Sequence, residues 1–203
     1  MAGNSAAPVK FSRLKYFPAH TKETAERFVS LFHRYAYIYR PFGSGAWISA
    51  NEQWSLTDTE ILKAIACVHP KAFIGTRSGK ASKYAVLDID AGSRYHSKEG
   101  LQKITSLLER AGISEHNLYR SSESGGWHLY IFFDVPVSSK DLHRQLYHLL
   151  KLHDFEVAKG TLEIFPHPGE NSVGQGLRLP LQPGFAWLNS NSLAVSEERD
   201  ELS

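Results

Sequence analysis

The chain has 203 residues, 42% of them hydrophobic and 22% charged, with a formal net charge of +2. That suits one globular domain, or one domain with a small annex, whose core needs no covalent staples. The single Cys67 excludes an internal disulfide framework, no apolar run approaches a membrane span, and no signal-peptide core opens the chain. A reducing, cytoplasmic setting with no membrane partner is therefore expected, with Cys67 a buried structural thiol.

Residues 1–10 read as a flexible N-terminus. Thr21 can cap a helix running to about Tyr39, with Phe28, Leu31, Phe32, Tyr35 and Ile38 on one stripe. Residues 41–55, with Gly43, Gly45, Trp47 and Trp54, predict an aromatic loop or short strands. Thr57-Asp58-Thr59-Glu60 is a capping-box pattern that opens a helix to about Val68. The order then becomes regular. A strand is predicted over about 84–90, then a helix capped by Ser97 and stopped by Gly112, then a strand over about 117–121. Ser- and Gly-rich residues 122–126 make a turn into a strand from Trp127 to Phe133. Ser139 caps a second helix, and a strand over about 161–165 follows. Residues 190–203 read as an acidic, flexible tail.

The order β-α-β-β-α-β predicts an α+β chain: an N-terminal α/β annex over 11–75 and an RRM-like unit over 76–189. Such a sheet is antiparallel with spatial order 4-1-3-2. It brings the end of its first strand, the hairpin after its second and the start of its fourth to one edge. Asp88, Asp90, His128 and Glu163 then share the open face, while Ala85, Leu87, Ile89, Leu129, Ile131, Phe133, Leu162 and Ile164 face the helices.

Two carboxylates at i and i+2 repel each other, and a structural strand gains nothing from that. Asp88, Asp90 and Glu163 together can hold one or two Mg²⁺ or Mn²⁺ ions, as phosphate chemistry requires. His128 can donate to a phosphate, assisted by backbone N–H groups of Ser124, Gly125 and Gly126. Arg178 offers a planar fork for phosphate, with Arg77, Lys80 or Lys83 expected at the rim. The basic residues Arg13, Lys15, Arg27 and Arg34, mixed with aromatics, suit a single-stranded or primed nucleic acid.

At Leu87-Asp88-Ile89-Asp90, Ser124-Gly125-Gly126-Trp127-His128-Leu129-Tyr130 and Leu162-Glu163-Ile164-Phe165 the chain resembles the archaeo-eukaryotic primase superfamily, which includes the primase-polymerases. The segment Gly176-Leu177-Arg178-Leu179-Pro180 looks like the variant in plasmid, phage and CRISPR- or conflict-system-associated members. The resemblance covers about 74–188. It implies a nucleotidyltransferase in which Asp88, Asp90 and Glu163 bind catalytic metals and His128 contacts the triphosphate of a nucleoside triphosphate. Two departures stand out. Gly126 occupies a position where the family often has Ser, so a hydroxyl must come from Ser124 or be absent. Many relatives continue into a helical accessory or helicase domain, so extension of a primer is expected before de novo priming. The rival readings are a metal-dependent nuclease and a non-catalytic RRM-like RNA-binding module that stacks bases on Tyr130 and Phe132.

Overall fold

The computed structural model of the chain describes residues 22–34, 37–50, 55–67, 69–168 and 175–198. The first part comprises α1 (Lys22–Val29), β1 (Ile38–Pro41), β2 (Ile48–Ser49), α2 (Asp58–Ile65) and β3 (Ala72–Arg77). There follow β4 (Ala81–Ile89), α3 (Lys98–Arg110), β5 (Asn117–Arg120), β6 (Trp127–Ser138), α4 (Ser139–Leu152) and β7 (Leu162–Phe165). The last strands are β8 (Gly176–Arg178), β9 (Ala186–Leu188) and β10 (Val195–Glu198).

The fold is α+β, built on two antiparallel sheets. The larger runs β10-β9-β5-β6-β4-β7, so the four strands of the RRM-like unit stand in the predicted 4-1-3-2 order. Alternation along these strands sends Ala85, Leu87, Ile89, Leu129, Ile131, Leu162 and Ile164 into one core with Leu101, Ile104, Leu108, Leu142, Leu146 and Leu150 of α3 and α4. Each of the leucines and isoleucines contributes roughly 1.5–3 kcal/mol by leaving water. Burial on that face dictates register, and register dictates what the opposite face presents.

The smaller sheet runs β2-β1-β3-β8. Its last strand arrives from the far end of the chain to pair with β3, Gly75 facing Arg178 and Arg77 facing Gly176. One face buries Ile74 and Leu179 against Val29, Phe32, Ile61 and Ile65 of the α1 and α2 region. The buried Gln182 side chain locks this join. Its amide accepts from Ile74 N at 2.8 Å and donates to Ile74 O at 2.7 Å.

Several expectations shift. The helix predicted to reach Tyr39 ends at Val29. Arg34 Nη2 donates to the terminal Val29 carbonyl at 2.9 Å, and Ile38 belongs to β1, opposite Gly75. The aromatic and β-branched run Tyr37-Ile38-Tyr39 favours a strand, and β3 supplies the partner; Tyr35 and Trp54 lie outside the described residues. The capping box at Thr57 forms as predicted, with Glu60 N donating to Thr57 Oγ1 at 3.2 Å and Thr57 N to Glu60 Oε2 at 2.9 Å. Ser138, rather than Ser139, caps α4 by accepting from Asp141 N. Cys67 is half-buried and donates to the Leu181 carbonyl. Val195–Glu198, expected in a loose tail, pair with β9, and Glu198 meets Arg120 in an ion pair.

Tyr130 lies on the sheet face opposite α3 and α4, but the protein itself covers it. It is 2% exposed and packs with Val86, Phe165, Leu177, Tyr84 and Tyr119. A base cannot stack on Tyr130 without parting the two sheets, whereas Phe132, stacked on it with ring centroids 5.6 Å apart, is 46% exposed.

Candidate active-site cleft

The acidic groups come from neighbouring strands of the larger sheet. In the ladder, Asp88 of β4 stands directly opposite His128 of β6 on one side and Glu163 of β7 on the other. Directly opposed residues hold their Cβ atoms about 4.5–5.5 Å apart, so the three side chains form a row. His128 Nε2 lies 3.4 Å from Asp88 Oδ1, a loose ionic approach, and His128 is buried. Asp90 follows just past the end of β4, where the Gly160 backbone N–H favours its ionised form. Gly160 turns the chain into β7 with φ of 78°, a conformation that favours glycine.

These carboxylates disturb one another. Burial, then the Asp88 charge, pushes Asp90 above the ordinary range, with Gly160 N–H and His128 opposing. Burial again leads for Glu163, followed by Asp88 and Asp90, with Lys159 opposing. Among the described residues, no group of three or more His, Cys, Asp and Glu side chains is arranged as it stands to hold a metal ion.

Beside this row the β5–β6 turn is tightly made. Ser121 N donates to Gly126 O at 2.7 Å and Gly125 N to Ser122 O at 3.0 Å. Gly125 has φ of 87°, and its carbonyl meets His96 Nε2 at 2.8 Å. His96 in turn lies over Trp127, ring centroids 3.9 Å apart. A Cβ on Gly126 would come within 3.3 Å of Ser121 Oγ. A hydroxyl therefore already lies beside that glycine, supplied by Ser121, which sequence reading missed.

The smaller sheet forms the facing wall. Arg40 of β1 is paired with Phe73 of β3, so both project from one face, and Arg178 of β8 joins them there. The Arg178 guanidinium lies 4.3 Å from the Phe73 ring centroid and that of Arg40 lies 4.8 Å from it. Arg178 Nη2 donates to the Pro183 carbonyl, while the Nε of both arginines is buried without an acceptor. Burial, then the Arg40 charge, pushes Arg178 down to about 10, which still leaves it cationic at neutral pH. Arg77 bonds to Ser49 Oγ.

A cleft of about 840 Å³ opens between these walls, lined by Asp88, Asp90, Glu163 and His128 on one side and Arg40, Arg77 and Arg178 on the other. Ser124 and Gly126 also line it, as do Trp47, Ser121 and Lys159, which sequence reading missed. Lys80 does not. It is exposed in the turn before β4, eight residues from Asp88, about 26 Å along an extended strand. Nor does Lys83 reach the cleft lining. Arg34 is held by Asp58 at 2.6 Å, tying α1 to α2, and Arg27 is exposed on α1. Arg13 and Lys15 lie outside the described residues.

No protein-family model matches the chain, and no curated protein matches it. Among solved structures the chain is similar to the polymerase domain from Mycobacterium tuberculosis Ligase D in complex with DNA. The likeness has 15% identity, covers 85% of this chain and 76% of that chain, and has a TM-score of 0.46. Among the described residues no helix is long and apolar enough to cross a membrane.

Proposed function

We propose that the cleft performs divalent-metal-dependent nucleotidyl transfer, as a primase-polymerase does. A nucleic-acid 3′-hydroxyl attacks the α-phosphate of a nucleoside triphosphate. The new O–P bond forms as the bond from the α-phosphorus to the bridging oxygen breaks; pyrophosphate leaves with that oxygen, and the hydroxyl proton passes to solvent. The observation that carries this reading is the division of one cleft into a carboxylate wall and a guanidinium wall. A polyphosphate together with divalent cations complements both at once.

The donor set fits Mg²⁺ or Mn²⁺. Asp88, Asp90 and Glu163 offer hard oxygen ligands; burial first, and then the neighbouring carboxylate charge, raises Asp90 and Glu163, and a cation relieves the second of these. Asp88 and Glu163 stand on paired backbone, and Asp90 on the residue just after β4. When bound, such ions neutralise phosphate charge and lower the pKa of the attacking hydroxyl. The rest falls to the chain's own groups. Arg178 and Arg77 meet the triphosphate from the opposite wall. His128, steadied against Asp88, and the backbone N–H groups of Ser124 and Gly126 complete its cradle, while the Gly125 N–H is spent on the Ser122 carbonyl. Catalysis on this scheme is mostly positioning and charge neutralisation.

The test is incorporation of labelled nucleotide on a primed template with Mg²⁺ or Mn²⁺, with strand cleavage followed in the same tube. Incorporation is expected, on DNA or RNA, with or without an accessory helicase partner. Metal-dependent cleavage without incorporation would replace this reading with a nuclease.

A further inference from the structure

The outer part of the guanidinium wall, Trp47 and Arg40, lies outside the triphosphate cradle proposed above and leads inward to Arg178, which belongs to it. Trp47, Arg40, Phe73 and Arg178 form a rank in which rings and guanidiniums alternate. The Arg40 guanidinium lies 5.4 Å from the Trp47 ring centroid and 4.8 Å from that of Phe73, and Arg178 lies 4.3 Å from Phe73. Phe42 stands edge-on to Phe73 with centroids 4.9 Å apart. The outer members are open to solvent, Phe42 at 47% exposure and Trp47 at 37%. Among the described residues no carboxylate pairs with Arg40, and its buried Nε–H has no acceptor in the protein. Two rings thus hold a cation of which at least one donor, the Nε–H, has no protein acceptor among the described residues.

We propose that Trp47 and Arg40 receive a single strand of nucleic acid on its way to the carboxylates, Arg40 binding a phosphodiester and Trp47 stacking the adjoining base. The proposal rests on the nucleotidyl-transfer reading for its setting. A strand fits better than a free nucleotide because π-faces and cations repeat from rim to interior, as bases and phosphates repeat along a chain. A triphosphate instead concentrates its charge in one place, which the deeper Arg178, Arg77 and His128 serve. The rank also moves the strand away from Arg34, whose guanidinium is committed to Asp58.

The test measures anisotropy of a labelled single strand of about 12 nucleotides, in chelator and without triphosphate, over a range of salt. Trp47→Ala is expected to weaken binding about tenfold with the salt dependence unchanged, and Trp47→Phe to retain most of the affinity. Arg40→Gln is expected to weaken binding and to reduce the log–log salt slope by about 0.7. A second arm follows a fluorescent nucleoside triphosphate with Mn²⁺, whose affinity should survive Trp47→Ala. Wild-type strand affinity in both Trp47→Ala and Arg40→Gln overturns the proposal. So does loss of triphosphate affinity with strand affinity intact, which assigns the rank to the nucleotide. Strand binding that behaves as expected in a protein that never incorporates nucleotide would leave this subsite standing and sink the transferase reading alone.

Discussion

The two walls of the cleft achieve their charge by different means. On the acidic wall, carboxylates stand on two adjacent strands, β4 and β7, with His128 on a third, and the ladder sets the spacing of Asp88 against His128 and Glu163. On the cationic wall, long arginine side chains come from β1 and β8 and are steadied by stacking on one ring, Phe73. Backbone register can aim a short side chain, but an arginine has several free torsions and needs a surface to lie on. The planar guanidinium accepts that surface where an ammonium would not. The acidic wall should therefore tolerate little chemical change, and the cationic wall little geometric change.

The largest expected effect breaks the acidic wall. Asp90→Ala should lower incorporation on a primed template by about a thousandfold or more, with circular dichroism and melting showing an intact fold. Retention within tenfold would mean that the reacting wall lies elsewhere.

On the opposite wall, Arg178→Lys keeps the charge and loses the fork and the stacking. Its kcat/KM for nucleotide should fall by roughly 10- to 100-fold, with the loss concentrated in KM. An unaffected Lys variant would show that charge alone suffices, and the contrast between the walls would collapse.

The scaffold of the cationic wall can be probed separately. A Cβ on Gly75 would lie 2.7 Å from the Leu177 carbonyl and 2.7 Å from Ile38 Cγ1. The three atoms nearest a Cβ on Gly176 all belong to the Ile38 side chain, the first being Cδ1 at 2.4 Å. Gly75→Ala must move backbone and should cost about 1–3 kcal/mol in urea denaturation. Gly176→Ala should cost less, because Ile38 can turn aside.

A gentler effect is a matter of sign. The folded-state pKa of Asp90 and Glu163 lies above the unfolded value, so the folded protein binds more protons across that interval. Their contribution to stability therefore falls as pH rises through the carboxylate range. In chelator at neutral pH, Asp90→Asn should melt higher than wild type, and the difference should vanish as pH is lowered through that range. Mn²⁺ should raise the melting temperature of wild type and do so far less for Asp90→Asn. A metal response that survives Asp90→Asn would place the ion away from this row. The smallest expected effect is none: Lys80→Ala should leave incorporation unchanged, since Lys80 lies at the far end of β4.

The acidic wall was legible because period two is a local property. Alternation of Ala85, Leu87 and Ile89 places Asp88 on the other face, and the βαββαβ order brings His128 and Glu163 to its sides. Helix starts at Thr57 and Ser97 were legible for the same reason, since a cap acts within three residues. The overrun of α1 arose where helical spacing and strand alternation overlap, and the pairing of Ile38 with Gly75 decided between them.

The cationic wall had no local signature. Trp47 read as part of an aromatic loop or short strands, nothing set Arg40 apart, and Lys80 read as being as near the site as Arg77. The amino-acid sequence by itself determined the α+β class, the order of the larger sheet and the placing of its acidic row, because hydrophobic alternation and caps act over a few residues. Only the tertiary structure decided that β8 would complete the smaller sheet, that Tyr130 would be covered and that Arg40 and Arg178 would share Phe73. Those outcomes depend on contacts between residues far apart along the chain, which are won by packing against the rest of the fold rather than written in neighbouring residues.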